Sequence, residues 1–229
     1  MGRPLRTTPG GLVYHVLNRA NARQPLFNTD GDYAAFERVL AEACHRIPMR
    51  ILAYCLMPNH WHLVLWPQGD GDLSHFVGWL TLTHTQRRHV YHHTVGHGHL
   101  YQGRFKSFMV QQDGHLLTVC RYVERNALRA GLVARVEQWR WGSACQRESG
   151  SGAVPLSAWP VERPVEWAQW VNEPEPESEL AAVRRSIVKG RPLGNEGWVD
   201  SIVTTCRLFS TVRGRGRPKQ VRELTENGS

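Results

Sequence analysis

Apolar and polar positions along the chain change period several times, and each change marks an element. An apolar run from Leu12 to Arg19, after Gly10 and Gly11, predicts a strand. Tyr33, Phe36, Val39, Leu40 and Ala43 then recur at helical spacing, predicting a helix to about His45 with Asn28, Asp30 and Asp32 as candidate caps. Pro48 breaks that pattern. Met49 to Leu56 and His60 to Trp66 predict two strands around the turn Met57-Pro58-Asn59, a loop short enough for an antiparallel hairpin. Leu73 to about Val90 predicts a second helix, with Asp72 as its cap. A His- and Gly-rich loop follows from Gly96 to Gly103, then a fourth strand from Arg104 to Gln111. A third helix runs from a cap at Asp113 to about Arg129 and ends near Gly131.

The order is therefore strand, helix, strand, strand, helix, strand, helix. The first six elements define an α+β fold, the ferredoxin-like split βαβ arrangement. It is a four-stranded antiparallel sheet with both crossover helices on one face. The third helix is left to cover the other.

Composition changes the picture beyond residue 150. Residues 1–150 read as one domain of ordinary size. Residues 151–180 read as an acidic, Pro-rich connector, extended or partly helical, with six acids and one arginine between Val161 and Leu180. Residues 181–229 are basic, with ten Lys or Arg against four acids. They end in Arg213-Gly214-Arg215-Gly216-Arg217-Pro218-Lys219, which resembles an AT-hook. The whole chain carries a formal net charge of +8, which favours a polyanionic partner through steering and counterion release. The five cysteines form no CxxC pair and are odd in number, which argues against a disulfide framework and against a thiolate zinc site. The amino terminus has no apolar run of signal length, and no stretch reaches the length of a membrane span. The expectation is a cytoplasmic, nucleoid-associated protein without a membrane partner.

Within this frame one strand carries chemistry. Positions i and i+2 of a strand share a face, so His60 and His62 present two imidazoles together, while Trp61, Leu63 and Leu65 point into the core. Two such histidines suit a divalent metal, although His-x-His alone is a weak signal and more often marks packed core histidines. Tyr122 and Asn126, i and i+4 on the third helix, form a second pair. Asn126 offers an oxygen ligand and Tyr122 a phenolic nucleophile. Taken alone, Tyr122 is an amphipathic packing residue. A free phenol ionises near pH about 10, so such a nucleophile needs a metal or a positive field.

The combined motifs resemble those of the HUH single-strand transposases of the IS200-like type, and more closely the REP-associated tyrosine transposases. The matching pieces are Tyr14-His15-Val16 with Asn18-Arg19, Met57-Pro58-Asn59-His60-Trp61-His62, Gly103-Arg104-Phe105-Lys106-Ser107 and Tyr122-Val123-Glu124-Arg125-Asn126. Further matches are Arg129-Ala130-Gly131-Leu132-Val133, Trp141-Gly142-Ser143 and Gly190-Arg191-Pro192-Leu193-Gly194. The resemblance implies that His60, His62 and Asn126 hold Mg²⁺ or Mn²⁺ and that Tyr122 is the nucleophile. One departure is Ala127, where many relatives carry proline. The implied reaction is nicking and rejoining of single-stranded DNA through a 5′-phosphotyrosine, on palindromic hairpins of repeated sequences. A monomeric active unit is expected.

Arg19, Arg87, Arg88, Arg104, Lys106, Arg125 and Arg191 are candidate phosphate contacts, with Arg215 and Arg217 as minor-groove candidates. His89, His92, His93, His97 and His99 run too irregularly for a metal site. Two other readings stay open: a repeat-binding protein without turnover, and a metal-dependent phosphoesterase that uses water in place of Tyr122.

Overall fold

The computed structural model describes residues 7–96 and 98–213. Its centre is a four-stranded sheet of order β2-β3-β1-β4, formed by β1 (Val13–Arg19), β2 (Met49–Met57), β3 (His60–Pro67) and β4 (Lys106–Val110). Every neighbouring pair is antiparallel. The crossover helices α1 (Asp30–Arg46) and α2 (Asp72–Tyr91) complete the split βαβ fold. They pack on one face, where Phe36, Leu40, Phe76 and Leu80 meet Tyr14, Val16, Trp61, Leu63 and Leu65 from the strands.

The opposite face is covered by α3 (Gly114–Glu124), whose Leu116, Val119, Cys120 and Val123 lie on Val13, Ala53, Cys55, Val64 and Phe108. Two separate cores thus sandwich the sheet, and alternation along each strand assigns side chains to one or the other. At the register shift between Ile51 and Ala53 the alternation slips, and the successive residues Leu52 and Ala53 both enter the α3 core.

Helix starts differ in detail from those expected. Thr29, not Asn28, Asp30 or Asp32, is the α1 N-cap: its hydroxyl accepts from the Asp32 N–H, while the Asp32 carboxylate accepts from the Thr29 N–H. The pair satisfies two amide donors reciprocally. At α2 the cap position is Gly71, and Asp72 accepts instead from the Gly69 N–H at 2.7 Å. The fourth strand starts two residues later than expected, at Lys106. Asp113 does cap α3, accepting from the His115 N–H at 2.8 Å.

Beyond the sheet, α5 (Ser143–Ser149) packs beside β2, and Trp159, Trp167, Trp170 and Val171 enter the α3 core. The acidic segment therefore forms part of the packed body and contains a helix, α6 (Trp167–Asn172). The helices α7 (Glu177–Lys189), α8 (Glu196–Thr205) and α9 (Phe209–Val212) follow. Between α7 and α8 the chain bonds β4 on its free edge, with Leu193 N–H donating to Met109 O and Gln111 N–H to Leu193 O, both at 2.9 Å. Among the described residues no helix is long and apolar enough to cross a membrane.

Candidate active site

His60 and His62 lie on β3 with their side chains toward α3, and their ring centroids are 5.0 Å apart. Each has its Nδ1 engaged. His60 Nδ1 is 2.7 Å from Asn59 Oδ1. The Asn59 amide nitrogen faces the Arg23 carbonyl, so its oxygen accepts and His60 Nδ1 carries the proton. His62 Nδ1 is 2.8 Å from His15 Nε2, deep in the same core. Each Nε2 is therefore the nitrogen left to act as a ligand.

Burial keeps these rings neutral. It pushes His60 down to about 4, helped by the nearby Arg19 and Arg129 charges. It holds His62 well below the ordinary imidazole range, with His15, His60 and the same arginines adding to the effect. His15, wholly enclosed, is pushed down to about 3 by burial alone. A neutral imidazole has the lone pair that metal ligation needs.

Tyr122 faces this pair from α3, with its ring 5.9 Å from that of His62 and edge-on to it. The Arg129 guanidinium stacks on the tyrosine ring at 4.1 Å and donates to the Tyr122 carbonyl at 3.1 Å. Among the described residues no hydrogen bond engages the Tyr122 hydroxyl, which leaves it available for chemistry. The helix does not continue unbroken to Arg129, as the sequence led us to expect. It ends at Glu124, Arg125 caps it with ψ −2, and a single turn, α4 (Asn126–Arg129), restarts. Arg125 keeps a right-handed φ of −79, so Asn126 remains about one turn beyond Tyr122. Asn126 is buried, and among the described residues its Nδ2 has no hydrogen-bond partner. The next residue, Ala127, bonds the Cys55 thiol through its backbone, and Cys55 is the β2 partner of His62.

These donors fit a divalent cation. Two imidazole nitrogens and the carboxamide oxygen of Asn126 are neutral donors; the atom of Asn126 left without a partner is its Nδ2, a hydrogen-bond donor that no cation satisfies. Among the described residues no three His, Cys, Asp or Glu side chains form a ready metal cluster. A cation held without carboxylates keeps its full charge and attracts an anion such as a phosphodiester.

The expected phosphate contacts scatter. Arg19 pairs with His60 in the β1–β3 register, and among the described residues its buried Nε has no hydrogen-bond partner. Arg87 is spent on Glu42 at 2.8 Å, on the face away from Tyr122. Arg88 holds the Leu26 and Pro25 carbonyls. Arg125 bonds the Val171 and Asn172 carbonyls and lies 3.5 Å from Glu175. Arg191 lies beside Leu193 and Val199, near the segment that joins β4. Arg215, Arg217 and His97 lie outside the described residues. In the His-rich stretch, His92 pairs with Asp32 and His89 with Thr94.

Arg104 and Lys106 do come together with C-terminal cations. They line a groove of about 710 Å³ with Lys189 and Arg207, over a floor that includes Phe108, Met109, Ile187 and Leu208. Lys106 pairs with Leu17, and Leu17 pairs with His62. The groove thus begins two strand spacings, about 10 Å, from the histidine pair.

Sequence reading missed His15, Arg129 and Glu175. The last, whose side chain is only 4% exposed, sits 2.6 Å from Arg129 and anchors the guanidinium that stacks on Tyr122. An arginine every fourth residue at Arg121, Arg125 and Arg129, followed downstream by an acidic run, was the available signal.

The site thus consists of a split βαβ sheet with a His-x-His strand facing a helical tyrosine. The model of the IS200-like transposase family matches residues 10–126, slightly more than half of the 229-residue chain. The chain belongs to that family. A Haemophilus influenzae protein described as a REP-associated tyrosine transposase is 22% identical over 149 residues, covering 59% of this chain and 81% of its own. A solved REP-associated tyrosine transposase bound to a REP hairpin has the same fold, with a TM-score of 0.52 and 21% identity over 72% of this chain and 99% of its own.

Proposed function

We propose that the protein is a metal-dependent, single-strand DNA nicking and joining enzyme of the REP-associated kind, acting on palindromic hairpins through Tyr122. One observation carries this reading: both His60 and His62 have Nδ1 tied and Nε2 left over, beside a tyrosine whose ring is 5.9 Å away. Mg²⁺ or Mn²⁺, held by His60, His62 and Asn126, would polarise the scissile phosphate.

The remaining chemistry falls to the chain. Arg129, stacked on the tyrosine ring at 4.1 Å, would hold it for attack in line with the leaving 3′ oxygen. A bond forms between the Tyr122 oxygen and phosphorus, and the bond from phosphorus to the 3′ oxygen breaks. The phenolic proton is lost and the 3′ oxygen gains one. The products are a 5′-phosphotyrosine and a free 3′-OH. One phosphodiester replaces another, so a second 3′-OH reverses the step and joins strands without nucleotide hydrolysis. The tyrosine and the histidine pair belong to one chain, which supports a monomeric unit.

The test is a hairpin oligonucleotide labelled on the 3′ side of the nick, incubated with the protein and Mn²⁺ or Mg²⁺. A labelled, protease-sensitive protein–DNA adduct is the expected product. Nicked DNA with a free 5′-phosphate and no adduct would mean attack by water. Hairpin binding without a nick would mean a repeat-binding protein.

The groove beside β4 supplies the route for the strand. Lys106→Glu combined with Lys189→Glu is expected to weaken hairpin binding at low salt and to lower the slope of log affinity against log salt by about 2. Both side chains are exposed, so the melting temperature should move little. An unchanged salt slope would place the DNA elsewhere.

A further inference from the structure

His15 is a fully buried polar side chain on a strand that otherwise feeds the core. Its cross-strand partner in β3 is Val64, which makes His62 its diagonal neighbour on the same face of the sheet. Its Nε2 lies 2.8 Å from His62 Nδ1. The ring packs 4.9 Å from Phe108 on one side and 5.0 Å from His62 on the other, with the Tyr122 ring edge-on at 6.3 Å. His15 therefore touches both halves of the site, yet it is placed to reach neither DNA nor solvent.

The hydrogen bond contains one proton between two nitrogens, and the side on which it rests decides what His62 can do. If the proton belongs to His15 Nε2, then neutral His62 must carry its own proton on Nε2, and that nitrogen cannot ligate. If it belongs to His62 Nδ1, His15 Nε2 accepts and His62 Nε2 presents a lone pair. His60 needs no such partner, because the neighbouring Asn59 oxygen already fixes its tautomer. His62 has no carbonyl or carboxylate in that role; its Nδ1 meets an imidazole.

We propose that His15 is a positioning residue: through the Nε2–Nδ1 hydrogen bond it fixes the rotation and the tautomer of His62, so that His62 Nε2 serves as a metal ligand. The inference rests on the metal reading of the site given above. It assigns His15 no contact with substrate.

The test uses the full chain, titrated calorimetrically with Mn²⁺ in the absence of DNA. His15→Phe keeps a flat ring against Phe108 and removes the acceptor. Its Mn²⁺ affinity should fall about tenfold or more, the usual effect of deleting an orienting partner. His15→Gln, whose amide oxygen extends about as far as Nε2, should restore most of that affinity. His15→Asn, one carbon shorter, should not. The Mn²⁺ concentration for half-maximal adduct formation should rise in the same order, with hairpin affinity unchanged. Should the Phe variant not fold, the Gln and Asn variants decide the matter between themselves. Equal Mn²⁺ affinity in those two, or parental affinity in the Phe variant, overturns the proposal while leaving the metal site standing. A parental protein that binds no Mn²⁺ overturns both.

Discussion

Tyr122→Phe protein is expected to bind a labelled hairpin as tightly as the parent and to form no covalent adduct. Cleavage should fall by about 10³-fold or more, the scale on which removal of a nucleophile is felt. The fold should tolerate the change. The ring keeps its place under the Arg129 guanidinium and edge-on to His62, and among the described residues the hydroxyl has no hydrogen bond to lose. Stability should therefore stay within about 0.5 kcal/mol of the parent. Adduct yield, nicking rate and hairpin affinity can be read from one oligonucleotide, with thermal melts run alongside. Nicking at the parental rate by the Phe variant would remove Tyr122 from the chemistry and return the site to a water-based phosphoesterase.

The second large effect should come from Glu175→Ala, which reaches the nucleophile only through Arg129. Glu175 is almost enclosed, and its carboxylate lies 2.6 Å from Arg129 and 3.5 Å from Arg125. The neighbouring chain reinforces this anchor, because Arg121 bonds the Glu173 and Pro174 carbonyls and stacks on Trp170 at 4.6 Å. Truncation leaves two partly buried guanidinium groups without their counter-charge. Breaking a buried pair from one side costs about 3–5 kcal/mol, and the partial solvent access of both arginines lowers the expected loss to about 2–4 kcal/mol. For a chain of this size that corresponds to a melting temperature lower by roughly 4–16 °C. Glu175→Gln keeps a hydrogen-bond acceptor and should lose less. Adduct formation should slow in the Ala variant even below its melting range, since Arg129 no longer holds the tyrosine ring. An Ala variant that melts and cleaves like the parent would show that the anchor contributes nothing.

Much of this was readable before any coordinates. The four strands and first two helices fall within about two residues of their expected limits, because two different periods separate them cleanly: alternation in β3 and helical spacing in α1. The pairing of His60 with His62 needed only the two-residue repeat of a strand. His15 needed more. Its contact with His62 depends on the β1–β3 register, which places Leu17 opposite His62 and puts His15 on the diagonal. No local pattern in Tyr14-His15-Val16 encodes that. Arg125 was misleading for a related reason. A cation beside a nucleophile suggests phosphate, but here the acidic segment folds back and takes Arg125, Arg129 and Arg121 for itself. The sequence displayed both partners, an arginine stripe and an acidic run, far apart along the chain. Only the tertiary fold joins them.

The position of Glu175 also bears on how little of this protein could be cut out and still work. The family match stops at residue 126, and every proposed ligand and the nucleophile lie at or before that point. A fragment ending there would contain the full set of reactive groups. It would lack Arg129, which steadies the tyrosine ring, and Glu175, which steadies Arg129. It would also leave Leu116, Val119 and Val123 without Trp167, Val171 and Val183 from the C-terminal half of their core. A fragment that ends before α7 is therefore expected to lose part of the core beneath the tyrosine helix. Engineered fusions, trimmed variants and circular permutants of this scaffold should be planned around a unit that keeps α7.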